Sequence, residues 1–122
     1  MNENANNPIY DLEERTFQFA KNIRIWVKSI PRTIPNIEDI KQLVRASGSV
    51  VANYIEANES LSKKDFIFRI KICKKEAKEC GYWLRLILET NENIQEEQKG
   101  RLLLQESIEL KKIFSSIEGR SK

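Results

Sequence analysis

Lys64, Lys71, Lys78 and Arg85 recur every seven residues within residues 62–88. On an α-helix each such step returns to nearly the same face roughly 10 Å further along the axis. The four cations would then form a ridge able to meet successive phosphates of a polyanion, with Lys75 beside them. The stretch holds eight basic residues, Lys63, Lys64, Arg69, Lys71, Lys74, Lys75, Lys78 and Arg85, against three acids, Asp65, Glu76 and Glu79. Its local charge of +5 exceeds the +3 of the whole chain, so the remainder is slightly acidic. Lys21, Arg24 and Lys28, three and four apart, make a second basic strip. Lysine meets phosphate as a point charge and does not read base edges, so binding through these strips would be salt-dependent and weakly sequence-selective. The residues suit a solvated helix face equally well. Tyr82 could stack on a base or anchor a protein contact, and its type alone does not decide.

Other chemistry is sparse. The chain contains no histidine, which removes Ser-His-Asp and Cys-His catalysis and the Glu-x-x-His ligands of di-iron bundles. Glu56 with Glu59 and Glu76 with Glu79 are carboxylate pairs at i, i+3, expected to form ion pairs along their own helices with Lys63, Lys75 or neighbours. Neither a glycine-rich phosphate loop nor a Cys-x-x-Cys motif occurs. Cys73 and Cys80 lie seven apart, about 10 Å on a helix and beyond the ~7 Å reach of a disulfide. They read as buried core thiols. The expectation is a protein that is not an enzyme and needs neither cofactor nor metal.

The elements that must carry the ridge follow from periodicity. With 40% apolar and 32% charged residues but only four Gly and three Pro, the composition favours long helices over a turn-rich sheet protein. Phe66, Ile70, Cys73, Ala77, Cys80, Leu84 and Ile87 are spaced 4-3-4-3-4-3, the seam of a helix packed among helices and facing away from the lysines. Leu12, Thr16, Phe19, Ile23, Trp26 and Ile30 repeat the pattern in a first helix. Ile37, Ile40, Val44, Ser47, Val51 and Tyr54 do so in a second, and Leu103, Ser107, Leu110, Phe114 and Ile117 in a fourth. Each start carries a polar residue followed three places later by an acid: Asp11 with Glu14, Asn36 with Asp39, Ser62 with Asp65, Asn93 with Glu96. Pro31 and Pro35 bracket the exit from the first helix. The small run Ala46-Ser47-Gly48-Ser49 predicts close approach of a neighbour, because mid-helix Gly costs about 1 kcal/mol. The chain therefore reads as one domain over 1–122, with helices at about 11–30, 36–58, 62–90 and 94–118 and short polar tails. Short connections predict an all-α, antiparallel up-down-up-down four-helix bundle. No run of about 18 apolar residues predicts a membrane span. The polar Met-Asn-Glu-Asn-Ala-Asn-Asn-Pro start lacks the form of a signal peptide, so a cytoplasmic protein is expected.

Helix three carries more apolar surface than one seam needs. Phe68, Ile72, Tyr82, Trp83 and Leu86 fall outside it, which predicts a homo-oligomer interface, or else a helix contacting two neighbours over a wide arc. Tyr10, Arg45, Asn53, Glu56, Glu76 and Arg85 are polar groups among apolar positions. They predict a satisfied network that fixes helix register, or contacts to a neighbouring chain.

The segments Gln42-Leu43-Val44-Arg45-Ala46-Ser47, Ala52-Asn53-Tyr54-Ile55-Glu56-Ala57 running on to Ser62-Lys63-Lys64-Asp65-Phe66-Ile67, Lys75-Glu76-Ala77-Lys78-Glu79 and Tyr82-Trp83-Leu84-Arg85 resemble the bacterial four-helix bundle protein family. That family is also known from proteins encoded in intervening sequences of large-subunit ribosomal RNA genes, and the likeness covers about residues 10–117. It implies a four-helix bundle assembling as a ring-shaped homopentamer with a basic surface. The accessory variability protein of diversity-generating retroelements is similar in fold and binds a reverse transcriptase and nucleic acid. The resemblance therefore implies self-association and RNA or DNA as partners, or a scaffold for a reverse transcriptase or other protein with no nucleic-acid role of its own. It assigns no catalytic residue.

Overall fold

Ser62 opens the helix that carries the ridge as its spacing predicts: its hydroxyl accepts the Asp65 backbone N–H at 3.1 Å, satisfying a donor the first turn cannot. In a computed structural model, residues 8–121 are described, with side chains from Leu12 onward. Four α-helices follow one another: α1 (Pro8–Trp26), α2 (Ile34–Asn58), α3 (Lys63–Thr90) and α4 (Glu97–Ser121). No strand occurs among the described residues. The last turn after α1 tightens into a 3-10 helix, Val27–Ser29, before Ile30 and Pro31 take the chain out.

The other predicted starts shift. The cap of α2 is Thr33, whose side chain accepts from the Asn36 backbone N–H, with Pro35 in the first turn, where a missing N–H costs nothing. Asn36 is released from capping and buried, 2% exposed. Asn93 is not a cap either. It turns the chain at φ 56°, a left-handed conformation that Asn tolerates better than most residues, and α4 begins at Glu97. Asp11 lies within α1, and its side chain, like that of Tyr10, is outside the described side chains.

The seams of α1, α3 and α4 bury as their spacing predicts, with Phe66 only half-buried. On α2 the inward residues are Asn36, Leu43, Ala46, Ser47, Val50, Tyr54 and Ala57. The predicted Ile37, Ile40, Val44 and Val51 are half-buried beside them. The apolar arc of α2 is broad because it faces both α1 and α3, so a single stripe at 4-3 spacing misplaces its centre by about one residue. Each fully buried Leu, Ile or Phe contributes on the order of 1.5–3 kcal/mol.

Cross-helix ties fix an antiparallel order. Arg45 on α2 reaches Glu79 on α3 at 2.6 Å, and farther along α2 Asn53 accepts from Arg69 at 3.1 Å. Lys74 on α3 meets Glu118 on α4 at 2.6 Å, and Arg15 on α1 grips Glu106 on α4 through two bonds of 2.7 and 2.9 Å. The small run of α2 meets a side chain from α1 rather than its backbone. Arg24 donates to Ser47 Oγ at 3.2 Å and Val44 O at 3.3 Å, and a Cβ on Gly48 would sit 3.1 Å from its Nη2. Both α1 and α3 pack against α2 and α4, which places α1 and α3 on opposite corners of the bundle.

Candidate nucleic-acid interface

The seam of α3 is buried throughout between Ile70 and Ile87, which turns the opposite side of the helix to solvent. Lys64, Lys71, Lys75 and Lys78 all stand exposed there, and none forms an ion pair among the described residues. The pairs on α3 use other cations: Arg69 with Asp65, Lys74 with Glu118, and Arg85 with Glu89 at 2.7 Å. Arg85 thus stands at the end of the ridge with its charge balanced by its own helix. The remaining four lysines form an uncompensated positive strip.

The α1 strip does not join it. Lys21 and Lys28 are exposed, but Arg24 folds onto its own helix and α2, donating also to Ala20 O at 2.9 Å. It works as a cross-link between helices. Because α1 and α3 are diagonal, one chain cannot gather the two basic strips onto a single face. The two strips therefore face different sides of the chain, and α3 carries the larger number of exposed cations without an ion pair.

The five surplus apolar residues of α3 divide. Ile72, Trp83 and Leu86 are half-buried, since α3 contacts α2 and α4 over a wide arc. Phe68 and Tyr82 remain 55% and 57% exposed, standing among the lysines. Lys63, Lys64, Ile67, Phe68 and Lys71 line a shallow depression of about 580 Å³ at the start of α3. The Tyr82 ring meets Trp83 edge-on, centroids 4.9 Å apart.

Beside the ridge, Glu76 and Glu79 do not pair along their own helix as expected. Arg45 bridges them from α2, at 3.5 Å to Glu76 and 2.6 Å to Glu79, and Trp83 Nε1 donates to Glu79 at 3.2 Å. Burial opposes the Glu79 charge, but the bonds from Trp83 and Arg45 prevail and hold its carboxyl below the usual range. The Arg45 guanidinium is pushed up, chiefly by the bond it donates to Glu79. Asn53 continues the band, donating to Ser49 O and Oγ while accepting from Arg69. Of the polar residues expected to form a register-fixing network, Arg45, Asn53 and Glu76 lie in this band, while Arg85 pairs with Glu89 instead and Tyr10 lies outside the described side chains; Glu76 Oε1 and Arg69 Nε stay buried without a hydrogen bond. Cys73 and Cys80 are buried and unpaired, and burial raises the Cys73 thiol to about 12 and pushes the Cys80 thiol up as well. Among the described residues no group of His, Cys, Asp or Glu could hold a metal ion, and no helix is long and apolar enough to cross a membrane.

One feature carries no signal in the seam spacing. A groove of about 690 Å³ runs between α1 and α4, floored by Phe19, Trp26 and Leu103 and flanked by exposed Ile25 and Leu102. Ile25 and Leu102 lie one place beside the seam residues Trp26 and Leu103, where an exposed apolar residue looks unremarkable until the helices are placed.

Four antiparallel helices with a cationic outer helix define the class: an all-α bundle protein. The family model described as 23S rRNA-intervening sequence protein matches residues 10–116, and the chain belongs to that family. A solved structure from Bacteroides thetaiotaomicron, described as a protein with unknown function from the S23 ribosomal protein family, is 31% identical with a TM-score of 0.76. The match covers 87% of this chain and 96% of that one. No curated protein matches the chain.

Proposed function

We propose that this chain is a non-enzymatic RNA-binding protein that holds the phosphate backbone on α3. The observation that carries this reading is the row of four exposed, unpaired lysines, Lys64, Lys71, Lys75 and Lys78. A strip of this kind contributes affinity by releasing counterions from the nucleic acid. The family description names 23S rRNA-intervening sequences, which favours RNA as the polyanion. Lys21 and Lys28 serve as a secondary contact on the opposite corner, reached only by a long or second strand. In this reading the protein is cytoplasmic, one domain, and a homo-oligomer, the ring of five that the family resemblance implies. Each added subunit presents another ridge, so weak lysine contacts sum by multivalency. Reversing charge at Lys71 and Lys78 tests it: Lys71→Glu with Lys78→Glu should weaken RNA binding and leave helical content and mass in solution unchanged. Unchanged RNA affinity in that double variant would contradict it.

The groove between α1 and α4 favours a second reading, a scaffold or accessory subunit that docks a protein, for example a reverse transcriptase. Its apolar floor and exposed Ile25 and Leu102 fit an amphipathic helix. A folded protein that binds no RNA even at low salt would favour this reading over the first.

A further inference from the structure

Phe68 has Lys64 four residues before it and Lys71 three residues after it; Tyr82 has Lys78 four before and Arg85 three after. Positions four before and three after flank a helical residue on its own face. The same basic-aromatic-basic triplet therefore occurs twice on the outer side of α3, with Lys75 between the copies. The aromatics are fourteen residues apart, about 21 Å along the helix and on nearly one line. Both rings are more than half exposed, so their faces are open to a ligand. Each is also anchored from one side. Tyr82 leans on Trp83, and the Arg69 guanidinium carbon lies 5.8 Å from the Phe68 ring centre. Phe68 further borders the lysine-lined depression at the start of the helix.

From this repeat we infer that α3 is a binding track for single-stranded RNA, in which Phe68 and Tyr82 stack on unpaired bases while the four lysines without an ion pair, Lys64, Lys71, Lys75 and Lys78, hold the phosphates. The inference rests on the RNA-binding reading and narrows its ligand. In a duplex the base faces are already stacked on one another, so an aromatic side chain on a helix surface finds no partner there. On a single strand every base offers a free face, and stacking on it is tolerant of sequence. Lysines alone would accept duplex and single strand alike. The paired aromatics select the second.

The test uses the full chain and two probes, a short oligouridylate and an RNA duplex of equal length, followed by fluorescence anisotropy with mass measured by light scattering. Phe68→Ala and Tyr82→Ala should each weaken oligouridylate binding by roughly 5- to 150-fold and leave duplex affinity and mass unchanged. Phe68→Tyr should retain binding, while Phe68→Leu, which keeps apolar area without a π face, should lose it. Lys71→Glu should weaken both probes. Oligouridylate affinity unaltered by the alanine variants, with Lys71→Glu still weakening it, would overturn stacking and leave the RNA-binding reading standing. A fall in mass in the alanine variants that Phe68→Leu restores would make the aromatics anchors of a protein contact and overturn the inference. Absence of binding to either probe by the unaltered protein at low salt would overturn the RNA-binding reading, and the inference with it.

Discussion

The Trp26 indole lies across the backbone of Gly100, and a Cβ at that glycine would fall 2.3 Å from the ring. The indole Nε1 also donates to Glu96 O at 2.8 Å, so one side chain both packs against and hydrogen-bonds the first turn of α4. Trp26 and Glu96 both line the groove between α1 and α4. Gly100→Ala should destabilise the protein by about 1–3 kcal/mol through overpacking, despite the better helix propensity of alanine. Urea unfolding should give a lower midpoint at unchanged slope. A midpoint equal to or above that of the unaltered protein would contradict the close approach.

Asn36 and Asn91 exchange amide bonds of 2.7 and 2.8 Å, and Asn36 also donates to Pro31 O while Asn91 donates to Ile87 O. The pair clasps the exit of the first helix, the start of α2 and the end of α3. Asn36→Ala should cost about 1–3 kcal/mol, because it strands polar groups at that junction. The double variant with Asn91→Ala should cost less than the sum of the singles, a coupling that a double-mutant cycle reads directly.

The Arg45–Glu79 contact gives stability a defined pH dependence. Glu79 titrates lower in the folded protein than its ordinary value of 4.5. Its stabilisation is therefore complete above that value and is lost as pH falls through the folded-state pKa. Glu79→Gln should lower stability at neutral pH and flatten the loss below about pH 4.5, checked by urea midpoints across pH. An unchanged acid limb would mean that Glu79 is not held by Arg45 and Trp83.

Cys73 and Cys80 should resist thiol-specific reagents in the native state and react only as the protein unfolds, since both are fully buried and burial keeps their thiols protonated. Rapid modification of the native protein would show that the α3 seam opens.

Much of this was legible in the sequence because it rests on periodicity. The α3 seam from Ile70 to Ile87 and the outward Lys64, Lys71, Lys75 and Lys78 follow from 4-3 and seven-residue spacing alone. Asn36 was not legible in the same way. Its type suits a cap, and only the position of Asn91, distant in sequence, makes burial of its amide affordable. Arg24 reads in the sequence as one cation of a basic strip, yet it cross-links α1 to α2, because packing brings Ser47 and Val44 O within its reach. The diagonal arrangement of α1 and α3, which separates the two basic strips, depends on how four helices close around a core. The groove above Trp26 likewise depends on the spacing between α1 and α4, which no local pattern encodes.

The most direct test of the central claim is RNA affinity of the purified protein followed from low to moderate salt, beside Lys71→Glu with Lys78→Glu. Phosphate contacts by the α3 ridge predict a steep log-log salt dependence, with the slope reduced by about one for each lysine removed. A slope near zero, or one identical in the double variant, would contradict the assignment of α3 as the RNA-binding face.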